Sequence, residues 1–248
     1  MQNWNFIALV CFFLIGCLPE KPRLANHIAF KTKNTIQIDG LANEADWKEA
    51  EWYPIQEVWL GDEIDSTDFT GRFKVLWDKE KLYLLAEIVD DTLIDIHSDG
   101  LKYYWDDDCL ELFLDENHSG GKHFDNHNAF AYHIALDGKV VDIAKNGKPA
   151  YFNNHIKSAI KTIDKKTIWE LEIVVHDKNY DEQNPSDKSK VLLSENKKMG
   201  FALAYCDNDY SKERENFIGS VPIEGTEKNL GYLTADVFGT LILKNKTP

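Results

Sequence analysis

Apolar and polar residues alternate with a period of two along most of this chain, and the alternation is broken by short polar turns. Residues 69–77 set Gly71, Phe73, Val75 and Trp77 on one face. A polar turn at Asp78-Lys79-Glu80-Lys81 follows, and residues 82–89 return, which predicts an antiparallel hairpin. In residues 110–115, Leu110, Leu112 and Leu114 share one face and Glu111, Phe113 and Asp115 the other, which predicts a strand with one buried face. Residues 128–136 put Phe130, Tyr132, Ile134 and Leu136 on one parity and Ala131, His133 and Ala135 on the other. The turn Asp137-Gly138-Lys139 leads into 140–143. Residues 156–162 and 167–175 predict a second hairpin around Asp164-Lys165-Lys166, and 200–206 and 239–243 predict two more strands. Upstream, 35–40 reads as a short strand. Residues 43–50 read as one or two helical turns capped by Asn43, with Trp47 plugging their apolar side.

Many short strands, polar turns and almost no helix predict an all-β fold, an antiparallel β-sandwich of jelly-roll type. The length of 248 residues suits one large all-β domain. The chain contains neither a Gly-rich phosphate loop nor alternating βαβ units.

The N-terminus is patterned differently. Residues 6–15 are an apolar run too short to cross a bilayer comfortably. The run ends in Leu14-Ile15-Gly16-Cys17, which resembles the bacterial lipoprotein box, although no Lys or Arg precedes it. The resemblance implies a signal peptide over 1–16, a lipid on Cys17, and a tether over 17–34 that carries a domain over 35–248. It places the chain in the bacterial cell envelope, at the outer membrane or cell surface, held to the membrane by its lipid anchor only. An ordinary secretory signal cleaved elsewhere is the alternative.

The formal charge of −14 argues against a nucleic-acid partner, because phosphate binding needs Lys and Arg. A neutral sugar or a divalent cation is compatible with that charge. Asp90, Asp91, Asp106 and Asp108 lie in acidic turns that converge if their flanking strands pair. Carboxylate oxygens suit Ca²⁺, so these four are the candidate ligands; solvated turns are the alternative. His118, His123 and His127 lack zinc-site spacing and read as loop polarity. Cys109 and Cys206 each sit beside a strand, either as a disulfide or as two separate buried thiols. Neither G-x-S-x-G nor H-E-x-x-H occurs. Trp105 stands beside three acids at the mouth of the 110–115 strand, placed to lie under a ligand ring or to plug the core.

The order of these pieces resembles the family 9 carbohydrate-binding modules. It is carried by Ile38-Asp39-Gly40 with Asp46-Trp47, Val75-Leu76-Trp77-Asp78, Leu82-Tyr83-Leu84, Trp105-Asp106-Asp107-Asp108-Cys109-Leu110-Glu111-Leu112, Trp169-Glu170-Leu171 and Phe238-Gly239. The resemblance implies non-catalytic binding of an oligo- or polysaccharide between aromatic rings, with structural calcium in some members. Trp105 would be one ring and Glu111 a hydroxyl acceptor. The family's second Trp is absent from 217–232, where Phe217 and Tyr232 are the aromatic candidates. The family's strand Arg is replaced by Ala131, which leaves His133 and Asn128 as candidate polar contacts. Two alternatives remain beside sugar binding: an interaction or structural domain with envelope protein partners, and a carbohydrate-active hydrolase.

Overall fold

The computed structural model describes residues 26–246, so the proposed signal peptide and Cys17 lie outside the described residues. The strands are β1 (Asn26–Lys31), β2 (Tyr53–Ile55), β3 (Glu57–Leu60), β4 (Phe69–Trp77), β5 (Lys81–Asp90), β6 (Cys109–Asp115) and β7 (Phe130–Ala135). They continue with β8 (Val140–Ile143), β9 (Pro149–Tyr151), β10 (Ile156–Ile163), β11 (Lys166–Val174), β12 (Lys198–Asp207), β13 (Asn216–Gly219) and β14 (Gly239–Lys244). The α-helix among the described residues is a single short turn, α1 (Ala45–Lys48). Pairing runs in the order β10-β11-β5-β4-β1-β14-β12-β6-β7-β8-β9. The sheet curls so that its two halves face each other. Phe73, Val75 and Trp77 of β4, Leu84 of β5 and Trp169 of β11 share one core with Leu110, Leu112 and Leu114 of β6, Tyr132 of β7 and Phe201 of β12. This is the sandwich that the alternating pattern predicts.

The predicted hairpins are β4–β5 and β10–β11, in antiparallel register throughout. Three local expectations change. First, β1 occupies the stretch read as tether. It is not an appendage: it inserts between β4 and β14 and runs parallel to both, with Asn26 opposite Thr240 and Phe30 opposite both Lys244 and Leu76. The folded domain therefore includes residues before Thr35. Second, 35–40 is not a strand. The backbone N–H groups of Asp39 and Gly40 donate instead to the Glu170 carboxylate at 3.1 and 2.9 Å, so side-chain bonds replace a ladder. Trp47 is buried as expected, with its indole N–H on the other Glu170 oxygen at 3.0 Å. Glu44, not Asn43, occupies the helix N-cap.

Third, β6 is buried on both faces. Its non-leucine face is roofed by a second apolar layer, in which Cys109 and Phe113 pack with Trp59 of β3, Phe217 of β13, Val221 and Phe238. Trp59 lies flat against β13: a Cβ added at Gly219 would sit 2.0 Å from its ring. The Trp59 indole N–H closes on the Val221 carbonyl at 2.9 Å. Both β3 and β13 are short, which is why their pattern is faint in the sequence.

Candidate functional site

Between β6, β7 and their overlying loops lies an open cleft of about 410 Å³. The 95–108 loop delivers its first wall. The Asp107 carboxylate accepts the backbone N–H groups of Ile96 and His97 at 3.1 and 2.9 Å and so staples the loop. Tyr103 sits in the left-handed region (φ 55°), and the Asp106 N–H closes on its carbonyl at 2.8 Å. That turn presents Trp105, 37 % exposed, braced edge-on by Tyr104 at 4.8 Å. Tyr104 in turn meets the His133 ring edge-on at 4.7 Å. A second aromatic pair borders the same cleft: Phe124 and Tyr232, at 6.2 Å and about as exposed as Trp105.

The floor is charged and buried. Glu111 projects from β6 and His133 from the directly opposed position of β7, and Glu111 Oε1 lies 3.2 Å from His133 Nε2. Burial alone would lower the His133 pKa, but the neighbouring Glu111 charge and hydrogen bond outweigh it, and the imidazole is held above its ordinary value. Arg214 enters from the β12–β13 loop. Its guanidinium stacks over Phe217 at 4.1 Å and reaches to 3.9 Å from Glu111 Oε2. Asp142 of β8 also lines the cleft and accepts the backbone N–H groups of Ala131 and Ile143. Burial pushes its carboxyl up to about 7.

A second cluster lies where β5, β6 and β12 end. Asp90, Asp108 and Asp207 are all buried, with carboxylate oxygens within 4.8 Å of one another. Asp90 accepts from Tyr205 and the Thr92 N–H, and Asp108 from the Ile94 and Asn208 N–H groups. Asp207 Oδ1 is buried with no hydrogen-bond partner. Burial drives the three carboxyls up, to about 6 for Asp90, about 8 for Asp207 and about 9 for Asp108. Beside them Asp68, Asp91 and Asp209 form a more exposed triad.

A model of the carbohydrate family 9 binding domain-like family matches residues 38–246. The chain belongs to this family. Among solved structures, it is similar to a family 9 carbohydrate-binding module from Caldicellulosiruptor kristjanssonii in complex with cellotriose, 18 % identical, with a TM-score of 0.66 over 90 % of this chain and 95 % of the other. The glucose complex of such a module from the same organism aligns with a TM-score of 0.65 over 90 % and 97 % of the two chains, also at 18 % identity. Endo-1,4-beta-xylanase A of Thermotoga maritima is 31 % identical over 147 residues, a match covering 59 % of this chain and only 13 % of that enzyme.

Within this family frame the structure sorts the predicted residues. Trp105, Glu111, His133 and Tyr232 line one cleft. Phe217 does not: it is buried against Trp59 at 5.1 Å, because the pleat of β13 turns it inward. Asn128 does not either. Its amide donates to the Gly120 carbonyl at 2.7 Å and accepts from Ser119, which ties down the 119–128 loop. Arg214 was hidden from the sequence reading because it lies in an irregular loop. The one hint was Ala131, whose small side chain on the cleft wall stands where the family resemblance expects the guanidinium.

Of the four predicted cation ligands, Asp90 and Asp108 meet, and Asp91 belongs to the outer triad. Asp106 belongs to neither group; its carboxylate accepts the Arg214 N–H at 3.2 Å and its carbonyl the Asn208 amide. Asp207 completes the buried set because β12 pairs with β6 at Cys206 and Cys109, which sets the next residue of one strand beside the preceding residue of the other. His123 and His127 are buried rather than solvated, and they bond to the Gly231 and Tyr180 carbonyls respectively.

Proposed function

We propose that this chain binds a carbohydrate, an oligo- or polysaccharide, without catalysis, in the cleft of Trp105, Tyr232, Glu111, His133 and Arg214. The supporting observation is the pairing of partly exposed aromatic faces with a buried, hydrogen-bonding charged floor. A pyranose offers apolar C–H faces to rings and hydroxyls to carboxylate and guanidinium, and this cleft supplies both kinds of partner. Family membership and the fold shared with sugar-bound modules support the reading. A glycan array followed by titration calorimetry tests it. Trp105→Ala should weaken the best glycan roughly tenfold to hundredfold, the loss of a stacking contact of about 1–3 kcal/mol. Absence of any glycan ligand for the unaltered chain, or equal affinity in the variant, would refute the assignment.

We further propose that Asp90, Asp108 and Asp207 hold a structural Ca²⁺. The support is Asp207 Oδ1, a buried oxygen without a donor amid carboxylates that a cation would neutralise. Elemental analysis of protein purified without chelator should find calcium; none bound, with a melt indifferent to added Ca²⁺, would rule it out.

The third proposal is anchoring in the bacterial envelope through Cys17, for which the lipoprotein-like box is the support. Metabolic labelling with a fatty acid should mark the chain and fail to mark Cys17→Ala. Equal labelling of both would remove the anchor.

A further inference from the structure

The outer face of β4, β5, β11 and β10 lies across the core from the cleft, because the cleft stands on the outer face of β6 and β7. It is made by the residues whose parity points away from the core. Arg72 opposes Glu87, Glu87 opposes Ile168, and Ile168 opposes Lys161, one row over four strands. Strands about 4.8 Å apart make such a row about 15 Å long. Two shallow hollows, of about 320 and 400 Å³, lie along it and share Glu87 and Lys166 in their walls.

The charge of this face is opposite to that of the whole chain. Against a net −14, the two hollows are lined by five cations, Lys48, Arg72, Lys74, Lys161 and Lys166, and by one acid, Glu87. That acid is already held by Arg72, whose Nε lies 2.9 Å from Glu87 Oε2. Among the described residues, none of the four lysines has a carboxylate within 4.0 Å. Lys74 is the least matched of them. It is only 7 % exposed, and its Nζ donates to the Trp47 carbonyl at 2.5 Å and stands 4.5 Å from the centre of the Trp52 ring. A buried ammonium with three donors and no anion is costly unless a negative group reaches it. Burial, with the Arg72 charge beside it, holds the Lys74 pKa below the ordinary lysine value, so the hollow is short of negative charge. Trp52 lines the same hollow and offers an apolar surface beside the cations. Lys74 lies beneath the rim formed by Lys48, Lys161 and Lys166, so a flat bilayer meets the rim and leaves Lys74 unreached, whereas a chain fits into the hollows.

We infer that this face is a second binding site, separate from the cleft, for a strand of acidic polysaccharide bearing carboxylates or sulfates. The anionic groups pair with Lys161 and Lys166 at the rim and with Lys74 within, and the apolar C–H faces lie against Trp52. At physiological salt, charges farther than about 8 Å are largely screened, so these local cations govern the contact rather than the net charge of the chain.

Titration of the full chain with dextran sulfate and with oligogalacturonate at physiological salt, beside uncharged dextran, tests the site. Saturable binding to an anionic glycan and none to dextran is expected. Lys161→Glu with Lys166→Glu, two exposed positions, should weaken it at least about tenfold. Lys74→Met, checked for an unchanged circular dichroism spectrum, should weaken it as well. Trp105→Ala should leave it unchanged, which separates this site from the sugar-binding reading of the cleft. No binding to either anionic glycan, equal binding to dextran, or undiminished binding in the double variant would overturn the site. So would loss of binding in Trp105→Ala, which would move the anionic ligand to the cleft. Vesicles of 70:30 phosphatidylcholine and phosphatidylglycerol should not bind through this face; vesicle binding that the double variant abolishes, with no glycan bound, would assign it to a membrane and overturn the inference.

Discussion

Glu170 carries more structural duty than its place in an alternating strand suggests. It is fully buried and satisfies three donors, the Asp39 and Gly40 N–H groups and the Trp47 indole. Glu170→Ala leaves all three unpaired, so urea denaturation should show a loss of about 3 kcal/mol or more. Glu170→Gln keeps an acceptor and should cost less. Trp105 is the contrast. Being more than a third exposed, Trp105→Ala should leave the same denaturation midpoint nearly unchanged, unlike truncation of a core aromatic at about 3–5 kcal/mol. At the cleft, Glu111→Ala strands His133 and Arg214 together, whereas Glu111→Gln preserves shape; calorimetry should rank Gln above Ala in residual glycan affinity. Glu111 was legible because a strong strand pattern fixes where its side chain points, and Trp105 because it stands in the family-like stretch that leads into that strand. Arg214 was not, since an irregular loop has no period from which to read direction.

The strands whose alternation is long, β4 to β7 and β10 to β12, were readable in sequence because each has one face committed to the same core. The elements that escaped are short or are covered on both sides. β1 shows no clean alternation beside a lysine- and proline-containing segment, yet Ala29 is fully buried between its neighbours. A chain beginning at Thr35 would lose the strand joining β4 to β14. Circular dichroism and a thermal melt should show it unfolded, while a chain beginning at residue 24 folds; a cooperative melt from the shorter chain would contradict the placement of β1. The β3–β13 roof depends on an absent side chain. Gly219→Ala forces a methyl into the Trp59 ring, so the roof must lift. A cost of about 1–3 kcal/mol is expected from overpacking, read as a lower denaturation midpoint.

Across the whole molecule, buried ionisable groups set opposite limbs of the pH–stability profile. Burial lowers His27 to about 4, His176 to about 4 and His155 to about 2. Their contribution is present above the ordinary histidine value and is lost as pH falls toward those numbers. The raised carboxyls of Asp90, Asp207 and Asp108 act the other way: their contribution is present below about pH 4 and is lost as pH climbs through about 6, 8 and 9. Chelated protein should therefore melt highest in a mildly acidic window. Calcium should raise the melting temperature far more at pH 8.5 than at pH 5, because it binds the ionised carboxylates. Equal gains at both pH values would separate the cation from this cluster. The parallel pairing of β1 with β14 bears on force. Residue 26 leaves the pair at one end and residue 244 at the other, pointing in opposite directions. Tension applied between these two points runs along the strands and loads all of their shared hydrogen bonds together, in shear, instead of peeling them apart one at a time. The β1–β14 pair is built to hold when it is pulled lengthwise between these two points.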